Sequence, residues 1–123
     1  MSDMPVYGKR VVPRDVRLVR GDSERLGGWW RQRDLVTGEV MERDLTGWSG
    51  RIELRSPDGV ELWYSRACDE MTDDGHAVAN ITPSAFTADI WEQRRSGRWK
   101  CVVVSPSGAT VRTVGWGCWV LSD

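Results

Sequence analysis

His76 is the one residue around which acid–base or nucleophilic chemistry could be built, because the sequence has no other histidine. Serine and cysteine nucleophiles both need a base within hydrogen-bonding reach. His76 follows acidic residues and a glycine, a composition that is typical of a solvated loop. We therefore interpret it as a solvated loop histidine and expect no catalytic centre and no enzyme activity.

Four carboxylates just before this histidine could ligate a divalent cation or form an acid–base pair. They are Asp69, Glu70, Asp73 and Asp74. Ca²⁺ prefers such oxygen ligands, but the spacing is not that of the D-x-[DN]-x-[DN]-G calcium loop. Nothing in the pattern marks one carboxylate as the acid and another as the base of glycoside hydrolysis. We expect a solvated acidic turn with no metal and no cofactor.

The most basic stretch of the chain could stack bases and neutralise phosphates. It contains Arg94, Arg95, Arg98 and Lys100, interleaved with Trp91 and Trp99. On a strand, Arg98 and Lys100 share one face, so Trp99 is expected on the other face, in the core. The 17 basic residues of the chain are balanced by 18 acidic ones. We therefore do not expect a nucleic-acid partner.

Tryptophan is unusually abundant, with 8 Trp among 123 residues. A domain of this size cannot easily bury them all, and Trp and Arg are enriched at protein contacts. The candidate interface residues are Trp29, Trp30, Trp63, Trp116, Arg94, Arg95 and Arg98. Exposed tryptophans could alternatively form the sugar-stacking platform of a carbohydrate- or cell-surface-binding module.

The elements that must position these side chains are short strands. Residues 48–55 alternate polar and apolar side chains, and the turn Ser56–Gly59 leads to a returning strand over 60–66. The turn Ser105–Gly108 repeats the same S-P-x-G pattern between strands over 98–105 and 109–121. The two hairpins form a weak internal echo.

Other segments give weaker signals. Residues 15–20 and 77–81 predict short strands, and residues 26–33 predict a strand that Gly27 and Gly28 bend. Residues 34–47 predict a loop or a short irregular hairpin. Thr82 as N-cap and Pro83 after it predict a short helix over 85–93.

Together these signals predict an all-β, immunoglobulin-like antiparallel β-sandwich of seven or eight strands with one short crossover helix. An up-and-down barrel is the alternative fold. The length fits one domain, with residues 1–14 as an N-terminal arm and 15–123 as the sandwich.

The composition also predicts where the chain is made. The first residues are polar and no run is apolar enough for a secretory signal or a membrane helix. We expect synthesis in the cytoplasm and no membrane partner. The spacing of Cys68, Cys101 and Cys118 fits neither a zinc site nor an evenly paired disulfide framework, so we expect buried reduced thiols.

Several short motifs occur in an order that resembles the small β-sandwich structural proteins of tailed bacteriophages. These include the N-terminal domains of baseplate upper proteins and related minor tail or long-tail-fibre-associated proteins. The motifs are V-R-G-D-S at 19–23, D-L-T-G-W at 44–48, P-D-G at 57–59, I-T-P at 81–83, G-R-W at 97–99 and P-S-G at 106–108. The bulky segment 27–30 and an apparent insertion at 34–43 depart from the family pattern.

The resemblance implies a virion structural protein without catalytic residues or cofactor. Such a protein is made in the host cytoplasm and built into the tail, tail tip or baseplate through contacts with other virion proteins and with copies of itself. A capsid decoration or head–tail joining protein is the nearest structural alternative. We further expect the arm, residues 1–14, to pack on a neighbouring subunit.

Overall fold

The computed structural model describes residues 11–123, which form two β-sheets and a separate hairpin. The strands are β1 (Val16–Val19), β2 (Glu24–Trp29), β3 (Arg31–Arg33), β4 (Val40–Glu42), β5 (Ser49–Arg55), β6 (Leu62–Ala67), β7 (Glu70–Met71), β8 (His76–Ile81), β9 (Ser96–Val104) and β10 (Val111–Ser122). The predicted all-β, sandwich-like fold is confirmed. The predicted strand over 26–33 is divided into β2 and β3, and β4 pairs with β3 as the short hairpin that was one of the two predictions for 34–47. The remaining extra strand, β7, lies in the predicted acidic turn.

The large sheet has the strand order β1-β10-β9-β5-β6, and the small sheet has the order β2-β8-β7. The first strand runs parallel to the last, with Val16 beside Trp119 and Val19 beside Ser122. The other pairs are antiparallel, and β3 and β4 form a hairpin of their own. The described strands therefore face each other as two layers around one core.

The core is apolar and rich in aromatic rings. Its fully buried side chains include Trp119, Leu18, Ile52, Leu54 and Ile81. Trp99 is buried as its strand alternation predicts, while Arg98 on the opposite face is exposed. Burial of large apolar side chains from both sheets is the main favourable contribution to folding.

The two S-P-x-G turns have the same geometry, so the predicted similarity of the two hairpins is confirmed for their turns. Gly59 and Gly108 both have φ of +78°, which glycine adopts without steric cost. Each glycine amide donates to the carbonyl of the first turn serine, at 2.8 Å to Ser56 and 2.9 Å to Ser105. The local sequence therefore sets both hairpins.

The predicted helix over 85–93 is wrong, because a 3₁₀ turn at Asp89–Glu92 is the helical structure found there. Phe86 and Trp91 both enter the core, with ring centroids 4.8 Å apart. A regular helix does not place positions five residues apart on one face. Ile90, next to Trp91, is exposed.

The described part of the predicted arm, residues 11–14, packs on its own chain. The Arg14 amide donates to the Trp116 carbonyl at 2.9 Å, and the Trp99 indole N–H donates to the Arg14 carbonyl at 2.8 Å. Trp116 in turn donates to the Val11 carbonyl at 2.5 Å. The rest of the expected arm, residues 1–10, lies outside the described residues.

Candidate interaction surface

A groove of about 650 Å³ opens between β2, the bulged part of β10 and the segment 11–14. Five consecutive residues of β2, Arg25 to Trp29, line it, and so do residues 113–116 of β10. The β3–β4 hairpin extends the same wall through Arg31, Arg33 and Val40. We call this feature the groove.

Glycines bring the two sheets close together at the floor of the groove. A Cβ atom on Gly28 would lie 2.5 Å from the Val114 carbonyl oxygen, so no other residue fits there without a backbone shift. Val114 lies at a β-bulge, where the pairing of β10 with β9 shifts between Thr113 and Gly115. Gly28 therefore allows the contact between the two sheets, whereas a Cβ atom on Gly27 would collide with the Ala77 carbonyl of β8.

One strand face supplies most of the charge of the groove. Side chains alternate along β2 and β3, so the even-numbered Leu26 and Trp30 are buried while odd-numbered residues face outward. The outward side chains are Arg25, Trp29, Arg31 and Arg33, and all four are exposed. We call these four residues the outer stripe.

The groove is cationic, because arginines line it and no carboxylate side chain among residues 11–123 does. Its arginines are Arg14, Arg25, Arg31, Arg33 and Arg112. Within that range only Arg25 of this set forms an ion pair, at 2.7 Å from Glu70. Glu42 is paired opposite Arg31 in the hairpin but does not form an ion pair with it. The positive charge of the groove is thus largely left for an external anion.

Trp29 is the most engaged side chain of the outer stripe. Its ring stacks on His76, with centroids 4.8 Å apart and an interplanar angle of 10°. The Arg31 guanidinium carbon lies 3.7 Å from the ring centroid, and the indole N–H donates to the Asp74 carbonyl at 2.9 Å. These contacts fix Trp29 in place and occupy ring surface that a sugar would need.

His76 is not the solvated loop residue that its sequence context predicted. It is the first residue of β8, it is half-buried, and it pairs with Trp29 across the sheet. Its Nδ1 lies 3.0 Å from an Asp74 carboxylate oxygen. Hydrogen bonds from His76 and Thr72 hold the pKa of Asp74 below its ordinary value. The His76–Asp74 pair therefore fixes the position of the Trp29 ring and not that of a nucleophile.

The acidic segment 69–74 is also engaged by its own chain. Asp69 accepts a hydrogen bond from the Asn80 amide at 2.6 Å and pairs with Arg66 at 3.4 Å. Glu70 pairs with Arg25. Within residues 11–123, no three carboxylate, histidine or cysteine side chains converge as metal ligands.

The structure separates the predicted interface residues into two places. Trp29 and Trp116 are exposed at the groove, and Trp30 lies beneath them as a core residue, which corrects its placement on the surface. The ring of Trp30 packs edge-on against Trp48 and receives the Arg112 guanidinium at 5.2 Å. Its indole N–H is buried and has no acceptor among residues 11–123.

The other predicted residues are not at the groove. Trp63 is half-buried against Trp119, and the Arg94 guanidinium covers it at 4.9 Å. Arg95 pairs with Asp123 at 2.9 Å, and Arg98 projects from the outer face of β9. The sequence reasoning missed the groove arginines, although the alternation of Arg31 and Arg33 after Trp29 is visible in the sequence.

The β3–β4 hairpin presents apolar side chains to solvent beside the groove. They are Leu35, Val36, Val40 and Met41. Exposed apolar residues that adjoin one another are a feature of protein contact sites. The hairpin and the groove together form a surface that combines apolar, aromatic and unpaired cationic groups.

The cysteines differ in exposure. Cys101 is buried and Cys68 is half-buried, but Cys118 is exposed, so the expectation of buried thiols is wrong for Cys118. The Cys101 thiol donates to the Ala77 carbonyl at 3.8 Å. The proximity of the two thiols lowers the pKa of Cys68, and together with burial it raises the pKa of Cys101.

No protein-family model and no curated protein match this sequence. Among residues 11–123, no helix has the length and apolar character needed to cross a bilayer.

Proposed function

We propose that the chain is a structural subunit of a tailed-bacteriophage virion, in the tail, tail tip or baseplate, that acts through protein–protein contacts at the groove. The placement in a virion rests on the sequence motifs that resemble phage β-sandwich proteins. The contact function is supported by one observation above the others, namely a groove in which four of the five arginines have no ion pair within residues 11–123.

The neighbouring features favour a protein as the occupant of this surface. Exposed Trp29 and Trp116 lie beside the arginines, and the apolar hairpin adjoins them. Aromatic residues and arginine are enriched at protein interfaces and at their energetic hot spots. Other virion proteins, including further copies of this chain, are the partners that the proposal names.

The proposal is tested by quantifying the polypeptide in purified particles of the phage that encodes it, by mass spectrometry against labelled peptides. A tail-tip or baseplate ring gives a small number of copies per particle. A count in the hundreds would identify a capsid decoration protein, and absence from the particle would contradict the virion assignment.

A carbohydrate-binding module is the second candidate, because Trp29 and Trp116 are exposed. The contacts of Trp29 with His76 and Arg31 weigh against a free stacking platform. Titration with host wall glycans separates the two functions. Saturable quenching of tryptophan fluorescence would favour carbohydrate binding, and unchanged fluorescence would favour the assembly function.

A further inference from the structure

We propose that the unpaired edge of β2 and β3 binds an extended acidic segment of a neighbouring protein, which adds one strand to the small sheet. This inference rests on the proposed function, since it assigns the protein contacts to one edge and one partner chemistry. Strand addition to a free sheet edge is a general mode of peptide recognition.

Backbone hydrogen bonds show which edge is free. Trp30 uses both its amide and its carbonyl on one side, donating to the Gly75 carbonyl at 2.8 Å and accepting from the Arg43 amide at 3.1 Å. The Asp34 amide donates to the Glu39 carbonyl on that same side, at 2.9 Å. Strands β8 and β4 therefore lie on one side of the continuous segment 24–33.

The opposite side of this segment pairs with no strand in residues 11–123. In an extended strand, backbone groups alternate between the two edges. The odd-numbered residues therefore point their amides and carbonyls to the unpaired side. At Gly27 that side faces β10, because the Gly27 carbonyl oxygen lies 3.2 Å from the position that a Cβ atom on Gly115 would take. The open part of the edge is Trp29, Arg31 and Arg33. A row of unpaired amides and carbonyls of this length is a template for another strand.

The charge of the outer stripe specifies what that strand carries. Arg31 and Arg33 stand two residues apart on one face, and Arg25, which pairs with Glu70, lies six residues before Arg31 on the same face. Side chains on adjacent strands interact when they lie on the same face, and opposite charges stabilise such pairs. A partner strand with Glu or Asp at alternate positions would place its carboxylates beside these arginines.

The chain itself does not offer such a strand. Residues 1–10 contain one acidic residue, Asp3, against Lys9 and Arg10, so their charge does not complement the stripe. The acidic segment 69–74 is held by Arg66, Arg25 and the Asn80 amide. We therefore assign the edge to a different protein rather than to this chain or a second copy of it.

The test titrates the full-length chain into a fluorescein-labelled peptide and follows fluorescence anisotropy. The peptide has the sequence Glu-Val-Glu-Thr-Glu-Val-Glu-Thr. A second peptide replaces each Glu by Gln, and a third has the same composition with its four Glu residues consecutive. A short oligothymidylate serves as a competing polyanion of another class.

The alternating acidic peptide should bind more tightly than both of the other peptides. The double variant Arg31→Gln/Arg33→Gln should weaken binding about tenfold, since exposed ion pairs contribute up to about 1 kcal/mol each. The matched control is Arg17→Gln/Arg98→Gln, which removes two exposed arginines away from the groove that have no ion pair within residues 11–123. It should change the affinity less than about twofold.

Three results would overturn the proposal. Equal affinity for the alternating and consecutive acidic peptides would reduce it to non-specific electrostatics. Tighter binding of the oligothymidylate would assign the groove to nucleic acid. An equal loss of affinity in both double variants would mean that the outer stripe has no special role.

Hydrogen exchange of the same full-length chain gives a readout that only strand addition moves. The amides of Trp29, Arg31 and Arg33 should exchange rapidly in the free protein and slow at least tenfold when the acidic peptide is added. If these amides are already protected without peptide, the chain or a second copy occupies the edge, and the proposal fails. Failure here with the polypeptide still present in virions would leave the assembly function standing.

Discussion

Two strands of this protein carry two arginines on one face, and they differ in whether a carboxylate lies on that face between the arginines. On β5, Glu53 separates Arg51 from Arg55 and accepts a hydrogen bond from each, at 2.7 and 2.8 Å. On β3, Arg31 and Arg33 are separated by Gln32, whose side chain faces the other way. The two same-face arginines thus have a carboxylate partner on β5 and have none on β3 within residues 11–123.

The environment of Glu53 explains why Arg51 and Arg55 on β5 have little capacity left to bind a partner. The carboxylate is 3% exposed, and Lys100 on β9 approaches it at 3.9 Å. Burial alone would raise the pKa of Glu53, but hydrogen bonds from Arg51 and Arg55 and the charge of Lys100 outweigh it and lower the pKa. An arginine stripe therefore stabilises the fold where it has its own counter-ion and is available for a partner where it has none.

The substitution Glu53→Gln tests most directly whether the arginines of β5 depend on their carboxylate. The change leaves Arg51, Arg55 and Lys100 without their buried partner, and we expect the free energy of unfolding to fall by about 1–3 kcal/mol at pH 7, the range for hydrogen bonds to charged groups. Urea denaturation followed by tryptophan fluorescence measures it. An unchanged denaturation midpoint would mean that Glu53 stabilises nothing.

Measuring the stability of wild type and Glu53→Gln at several pH values tests the same role of Glu53. Because the folded pKa of Glu53 is lowered, its contribution is present above the unfolded value of about 4.3 and is lost as the pH falls through the lower folded value. The stability difference between wild type and Glu53→Gln should therefore shrink from pH 6 to pH 3. A difference that stays constant over this range would contradict the assignment. Other carboxylates titrate equally in both proteins.

The substitution Trp29→Glu would place a carboxylate within the outer stripe, as Glu53 does between the arginines of β5. A carboxylate at position 29 lies on the same face as Arg31, two residues away, as Glu53 does relative to Arg55. We expect affinity for the alternating acidic peptide to fall about fivefold, by roughly 1 kcal/mol. Trp29→Gln is the uncharged control and should weaken binding less. Equal losses in the two variants would attribute the effect to the indole.

The smallest effect is expected for the stability of Arg31→Gln/Arg33→Gln. Neither arginine has an ion pair within residues 11–123, so the free energy of unfolding should change by no more than about 0.5 kcal/mol. Thermal unfolding by circular dichroism measures it. A loss above about 1 kcal/mol would show that these arginines stabilise the fold, as those on β5 do.

Features set by neighbouring residues could be predicted from the sequence, and features set by distant ones could not. The turns at 56–59 and 105–108 follow from serine, proline and glycine at fixed positions, and β5 follows from its alternation. The route through 85–93 could not be predicted, because Phe86 and Trp91 pack against Tyr64, far away in the sequence. Tertiary packing overrides the helix-start signal there.

The candidate surface was predicted in part. An excess of tryptophan correctly indicates that some indoles remain exposed, and Trp29 and Trp116 are. Which of two adjacent tryptophans, Trp29 or Trp30, points inward depends on register against β8, which no local signal fixes. The arginines gathered from β2, β3, β10 and residue 14 come together only through sheet topology.

The parallel pairing of the first and last strands also has a mechanical consequence. Because β1 and β10 run in the same direction, the chain enters the pair at Val16 and leaves it beyond Ser122, at opposite ends. A pull on the two ends of the domain would load the hydrogen bonds between β1 and β10 in shear, so that they must fail together rather than one after another. Tension applied along the chain would therefore meet its greatest resistance at this pair of strands.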